Sequence, residues 1–205
     1  MKTTFSKKKK RSLPVILSDE EKNALLKVPN RRYPTGFRNL AMISLMLDAG
    51  LRCAEVLSLR LVDLELQSSK LTVRDGKGGK DRTLWLNETT LALMREWREL
   101  RPNQTELYFT TLKDGKIDSR YVREMVKRYG RKAGIKKDIH PHVLRHTFAT
   151  CLYRETKNLE AVRRALGHAD ISTTGIYLHV IDDELEAAMK NLGQKAKSTE
   201  KSTLR

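Results

Sequence analysis

A change of period in the middle of the chain constrains the fold more than any other feature. Residues 37–49 carry Leu40, Ile43, Met46 and Leu47 at helical spacing, and Gly50 stops the run. From residue 63 the apolar residues alternate with polar ones instead. The alternation is clear in Asp63-Leu-Glu-Leu-Gln67 and Lys70-Leu-Thr-Val-Arg74, and looser in Arg82-Thr-Leu-Trp-Leu86. A two-residue period puts every apolar side chain on one face of a strand and scatters them around a helix, so this stretch reads as sheet. The glycine-rich Asp75-Gly-Lys-Gly-Gly-Lys-Asp81 between the last two runs is a hairpin turn with Lys77 and Lys80 at its tip. After Asn87 the helical spacing returns. The pattern predicts a mainly α fold with a small antiparallel β-sheet (α+β) of about three strands.

The helices carry their own punctuation. Ser18-Asp-Glu-Glu21 is a capping box, which starts a helix running to about Val28. Arg31-Arg-Tyr-Pro-Thr-Gly36 reads as a loop, and residues 52–59 as a short helix with Val56 and Leu59 inward and Glu55 one turn on from Arg52. Asn87 caps a helix with Leu91, Met94 and Trp97 that ends before Pro102. Tyr108-Phe-Thr110 is a short extended piece and Lys113-Asp-Gly-Lys116 a turn. Asp118 or Ser119 starts a helix through Val122, Met125, Val126 and Tyr129, closed by Gly134. Residues 182–192 form a last short amphipathic helix with Leu185, Ala188, Met189 and Leu192 on one side. Residues 1–13 are expected to be a flexible basic arm, either contacting phosphate or simply solvated. Residues 14–192 form one domain, and 193–205 a disordered polar tail.

With 41 Lys+Arg against 25 Asp+Glu the formal net charge is +16, which favours a polyanionic partner. A ribosomal or membrane-surface protein would show longer basic blocks or a basic amphipathic helix. Here the charge is spread through folded-looking segments, so nucleic acid is the better partner. Cys53 and Cys151 are far apart in apolar helical patterns, with no CxxC motif or disulfide framework, as suits a reducing cytoplasm. No apolar region follows the basic start and no run approaches a membrane span, so the expectation is a cytoplasmic protein with no membrane partner.

All five histidines fall between residues 140 and 179, together with four arginines and two tyrosines. His142 and His146, spaced i, i+4, have a geometry that zinc can use. The residues between them are Val143, Leu144 and Arg145, and a cation beside a dication is unfavourable, so no metal is expected. Gly76-Lys-Gly-Gly79 lacks the P-loop spacing and precedes no helix. Neither a Ser–His–carboxylate set nor a carboxylate pair is apparent. What remains is cations, imidazoles and a phenol. Two arginines can clamp the non-bridging oxygens of a phosphodiester and stabilise the added negative charge of its pentacovalent transition state. A tyrosine can attack phosphorus, and a lysine on a hairpin can protonate the leaving alkoxide.

Four ordered motifs carry a resemblance: Gly50-Leu-Arg-Cys-Ala-Glu-Val-Leu57, Gly76-Lys-Gly-Gly-Lys-Asp-Arg82, His140-Pro-His-Val-Leu-Arg-His-Thr-Phe-Ala-Thr150, and Leu166-Gly-His-Ala-Asp-Ile-Ser-Thr-Thr-Gly-Ile-Tyr-Leu-His179. Over roughly residues 14–190 the chain resembles the catalytic domain of tyrosine recombinases, the phage-integrase family, and most closely the Xer type. The resemblance implies the fold of that domain and six catalytic residues. Arg52 is the first arginine, with Glu55 as its structural partner, and Lys77 is the hairpin lysine, with Lys80 as the alternative. His142 and Arg145 come from HxxR, His168 is the second histidine, and Tyr177 is the nucleophile. It also implies site-specific recombination through a 3′-phosphotyrosine, with no cofactor and no metal.

Two rival functions share parts of this pattern: type IB topoisomerase-like relaxation, and a DNA-binding regulator that has lost catalysis. The complete residue set and the LGH…Tyr arrangement favour recombination. Typical relatives carry an additional N-terminal domain that clamps DNA, and the thirteen residues here are too few to form one. The expectation is therefore a catalytic domain alone, or a short natural member like the fimbrial-switch recombinases. Exchange of the C-terminal helix, through Leu185, Met189 and Leu192, is expected to join protomers into a synaptic tetramer on DNA.

Overall fold

The computed structural model describes residues 14–74, 81–102, 104–167 and 189–190. Seven helices and three strands lie within these residues. Helix α1 (Asp19–Lys27) begins at the expected capping box: the Ser18 hydroxyl accepts from Glu21 N and the Glu21 carboxylate from Ser18 N. Lys137 Nζ donates to Glu21 Oε2 and to the carbonyl of Ile16, and Leu17 N donates to Thr147 Oγ1. These contacts fasten the start of the domain to its C-terminal half.

Helix α2 (Pro34–Asp48) is the centre of the molecule, with every residue from Gly36 to Leu47 buried. It starts inside the expected 31–36 loop, which shrinks to Arg31–Tyr33. The reason is Pro34, which takes the first helical position, where a missing N–H costs nothing and its fixed φ suits the helix. A helix buried all round must be surrounded by other elements, and α4 (Glu88–Leu100) and α6 (Pro141–Thr156) pack along it. Two further helices, α3 (Cys53–Ser58) and α5 (Ser119–Lys132), pack against each other. Asn87 and Asp118 cap α4 and α5 through their side chains. In the core, Trp97 Nε1 donates to the carbonyl of Tyr108, whose own hydroxyl donates to Met94 O.

The three strands form one antiparallel sheet in the order β1 (Leu64–Glu65), β2 (Lys70–Val73), β3 (Arg82–Trp85). The first strand is shorter than the expected run from 63 to 67. Asp63 belongs to a 3₁₀ turn, Leu61–Asp63, and its buried carboxylate accepts from Arg60 N at 2.9 Å and Arg74 Nε at 2.5 Å. The Asp63 backbone N–H also donates within the turn, to Arg60 O at 3.1 Å, so the ladder begins only at Leu64. The hairpin tip with Lys77 and Lys80 lies outside the described residues. Helix α7 (Leu159–Leu166) closes the fold, with Val162 and Leu166 against Ala149 and Tyr153 of α6 and its end against β3. Of the expected 182–192 helix, only Met189 and Lys190 are described, and both are helical.

Candidate active site

Two helix ends and one strand meet at a single carboxylate. Arg52 is the N-cap of α3, and Glu55, three residues on, accepts from the Arg52 backbone N at 2.7 Å and from its Nη1 at 2.6 Å. Arg82 enters from the start of β3 and forks onto the same group, Nη1 to Oε1 at 3.0 Å and Nη2 to Oε2 at 2.8 Å. Arg145, from the second turn of α6, brings its Nη1 within 3.7 Å of Oε2. Glu55, Arg82 and Arg145 are nearly covered, with side chains 9%, 8% and 6% exposed, whereas Arg52 is 26% exposed. Taken from solvent, a carboxyl group ordinarily becomes harder to ionise. Burial does push Glu55 upward, yet the hydrogen bonds and charge of Arg82, the Arg52 backbone bond and the Arg145 charge outweigh it and hold the carboxyl at about 2.

Glycine geometry sets the aim of Arg145. Its Nη1 donates to the carbonyl of Gly50, just past the end of α2, and its Nη2 to Leu166 O at 2.5 Å, the last residue of α7. Both helices turn out of their paths through left-handed glycines, Gly50 at φ 63° and Gly167 at φ 61°. A Cβ at Gly50 would sit 2.2 Å from Phe148 Cδ1. Helix C-termini present unpaired carbonyls and partial negative charge, so a guanidinium between two of them is held in place by both. Arg82 uses the same device, its Nε donating to Ala165 O at 2.9 Å.

His142 stands one turn before Arg145 on α6, at the exposed side of the cluster. Its imidazole is shifted below the usual value, first by burial and then by the positive charges of His140, Arg145 and Arg52, which favours the neutral ring. A neutral ring offers one donor and one acceptor nitrogen, as proton relay requires. His146, one turn further, is pushed down to about 4, again chiefly by burial. Among the described residues, no group of three or more His, Cys, Asp or Glu side chains is arranged to hold a metal ion.

Of the six residues singled out from the sequence, Arg52, His142 and Arg145 are thus brought to one place. Lys77, His168 and Tyr177 lie outside the described residues. The sequence reading did not single out Arg82. A signal existed: Arg82 shares its strand face with the buried Leu84, so the two-residue period points its side chain inward. Among the four charged side chains, three guanidinium groups and one carboxylate leave two net positive charges. That balance can hold a phosphodiester and also the doubly charged transition state of its cleavage.

The sequence profile of the phage integrase family matches residues 16–184. A tyrosine recombinase of Thermosipho africanus is 36% identical over 185 residues, covering 89% of this chain and 63% of that protein. The tyrosine recombinase XerC of Vibrio parahaemolyticus is 36% identical over 195 residues, covering 93% of this chain and 62% of the relative. The chain therefore spans about three fifths of the length of these curated relatives. Among solved structures, the XerA recombinase superposes with a TM-score of 0.77 at 32% identity, covering 89% of this chain and 66% of that one. The XerH site-specific recombinase, in a post-cleavage complex with its palindromic difH substrate, gives 0.74 at 33% identity, covering 87% and 53%. With the profile spanning most of the chain and the fold matching these neighbours, the chain belongs to the phage integrase family, as a tyrosine recombinase domain of the Xer type.

Proposed function

We propose that this chain is a site-specific DNA recombinase that cuts and rejoins DNA through a 3′-phosphotyrosine intermediate. The observation that carries the reading is the convergence of Arg52 and Arg145 on Glu55, with His142 beside them, in a chain of this family. Arg52 and Arg145 hold the non-bridging oxygens of the scissile phosphate. Tyr177 Oη attacks phosphorus and passes its proton to a histidine of the site, His142 or His168; the new P–O bond to tyrosine replaces the bond to the 5′ oxygen. Lys77 supplies the proton that this oxygen takes up, and His142 and His168 assist transfer and positioning. The 5′-hydroxyl of a partner strand later reverses the attack. The ester conserves the bond energy, so the cycle needs neither ATP nor metal.

Double-stranded DNA is the partner, in keeping with the net charge of +16. Exposed Arg120, Arg123, Arg128 and Arg131 on α5 add positive surface, and Arg123 lies close enough to act electrostatically on Cys53, the neighbour of Arg52. The reading keeps 14–192 as the catalytic domain between a basic arm and a polar tail, and the cytoplasm as its location. It also keeps residues 182–192 as the segment that joins protomers into a tetramer on DNA. Met189, described and 63% exposed, suits such a docking face. No helix among the described residues is long and apolar enough to cross a membrane.

The test begins by mapping the sequence cleaved in bound genomic fragments, then presents it as a nicked duplex from which the released strand diffuses away. The expected result is a protein–DNA adduct that survives denaturation and is absent in Tyr177→Phe. No adduct from the parent protein, or an adduct that persists in Tyr177→Phe, would sink the assignment.

A further inference from the structure

We propose that Arg82 is a positioning residue of the active site: by occupying both oxygens of Glu55 while gripping the end of α7, it keeps Arg52 and Arg145 set for phosphate. The inference rests on the recombinase reading of the site.

The argument turns on how many donors one carboxylate can hold. Oε1 of Glu55 accepts from Arg52 Nη1 and Arg82 Nη1, and Oε2 from Arg52 N and Arg82 Nη2. An ionised carboxylate offers about four lone-pair sites, and these four bonds use them. Arg145 Nη1 stays at 3.7 Å from Oε2, outside hydrogen-bonding reach, and donates to the Gly50 carbonyl instead. Without Arg82, two acceptor sites of a nearly buried carboxylate would open beside Arg145. The pair would close, since a buried charge demands partners, and the Arg145 donors would turn from phosphate to Glu55.

A second set of contacts makes the placement rigid. Arg82 Nε donates to Ala165 O, and Arg145 Nη2 to the next carbonyl, Leu166 O. Two arginines from different elements therefore cap one helix end, and α7, β3 and α6 keep a common register around Glu55. A Cβ at Gly167 would lie 3.0 Å from both Cδ and Nη1 of Arg82, so the glycine admits the guanidinium as well as making the turn. The planar fork bonds both carboxylate oxygens and a carbonyl in one fixed geometry.

The test uses the full chain, with Arg82→Met, Arg82→Lys and Glu55→Gln as variants. On the mapped nicked duplex, Arg82→Met should bind with a Kd within about threefold of the parent. Its single-turnover adduct formation should fall about 100-fold, the scale of losing one group that stabilises transition-state charge. Arg82→Lys, which keeps the charge but not the fork, should recover about tenfold of that loss. In a Glu55→Gln background the same Arg82→Met change should add less than about threefold, because the two residues act as one unit. Adduct formation at the parent rate in Arg82→Met, or losses that multiply in the double variant, would overturn the proposal. The second outcome would mean that Arg82 only anchors the hairpin. If Arg82→Met does not fold, Arg82→Lys carries the same comparison. A readout without DNA separates this idea from the recombinase reading: the guanidinium ¹⁵N resonances of Arg52 and Arg145 should shift in either Arg82 variant. Unchanged resonances overturn the proposal even if the parent protein forms no adduct, an outcome that by itself refutes only the recombinase reading.

Discussion

Replacing Glu55 by Gln removes one negative charge from between three guanidinium groups and changes almost nothing in shape. Two routes give its cost. Breaking a buried ion pair by neutralising one partner typically costs about 3–5 kcal/mol, because the remaining charges stay buried and uncompensated. The second route uses the carboxyl itself, held at about 2 where it would ordinarily titrate at 4.5. At roughly 1.36 kcal/mol per pH unit, that difference corresponds to about 3 kcal/mol of interaction favouring the ionised form. Glutamine imitates the protonated carboxyl, so the two figures describe one quantity and agree in size. For a domain of roughly this length, the loss lowers Tm by about 6–12 °C. Scanning calorimetry of parent and variant at pH 7 measures it. A pH series adds a sharper constraint. Between about pH 4.5 and 2 the unfolded chain binds this proton and the folded chain does not, so the stabilisation is present above that window and is lost as pH falls through it. The gap in stability between parent and Glu55→Gln should therefore be widest near neutrality and close towards pH 2. A Tm within about 2 °C of the parent at pH 7, or a gap that does not narrow in acid, would refute the central place given to this carboxylate.

Gly50→Ala puts a Cβ 2.2 Å from Phe148 Cδ1 at a φ of 63°, so it should cost about 2–4 kcal/mol in chemical denaturation; an unchanged midpoint would show that the α2 exit is not constrained. His146, held down to about 4 by burial, should show an imidazole proton midpoint near that value in an NMR titration, and a midpoint above 6 would contradict its covered position. DNA binding should weaken steeply with salt, as expected for contacts made mainly to phosphate, and a flat response in a gel-shift titration would count against DNA as the partner.

What could be read in the sequence, and what could not, divides along a physical line. Interactions confined to one turn of chain were legible: the Ser18–Glu21 box, the Asn87 and Asp118 caps, and Arg52 beside Glu55 at i, i+3 all appear as expected. The sheet was legible because its period differs from everything around it. Boundaries failed where one residue changed the local balance, as Pro34 did by starting α2 early and Asp63 by joining the turn before β1. The partners of Glu55 are a different matter. Arg82 and Arg145 lie 27 and 90 positions away, and no local pattern encodes that three cations share one carboxylate. Resemblance singled out Arg145 and passed over Arg82, although both side chains are nearly covered and cap neighbouring carbonyls of α7. Lys77, His168 and Tyr177, identified by resemblance alone, fall outside the described residues. The histidine-rich stretch supplies only part of the cluster around Glu55. Its Arg145 is held by the Gly50 carbonyl just past α2 and the Leu166 carbonyl of α7 and faces a carboxylate from α3, so its chemistry depends on contacts that only the folded chain can make.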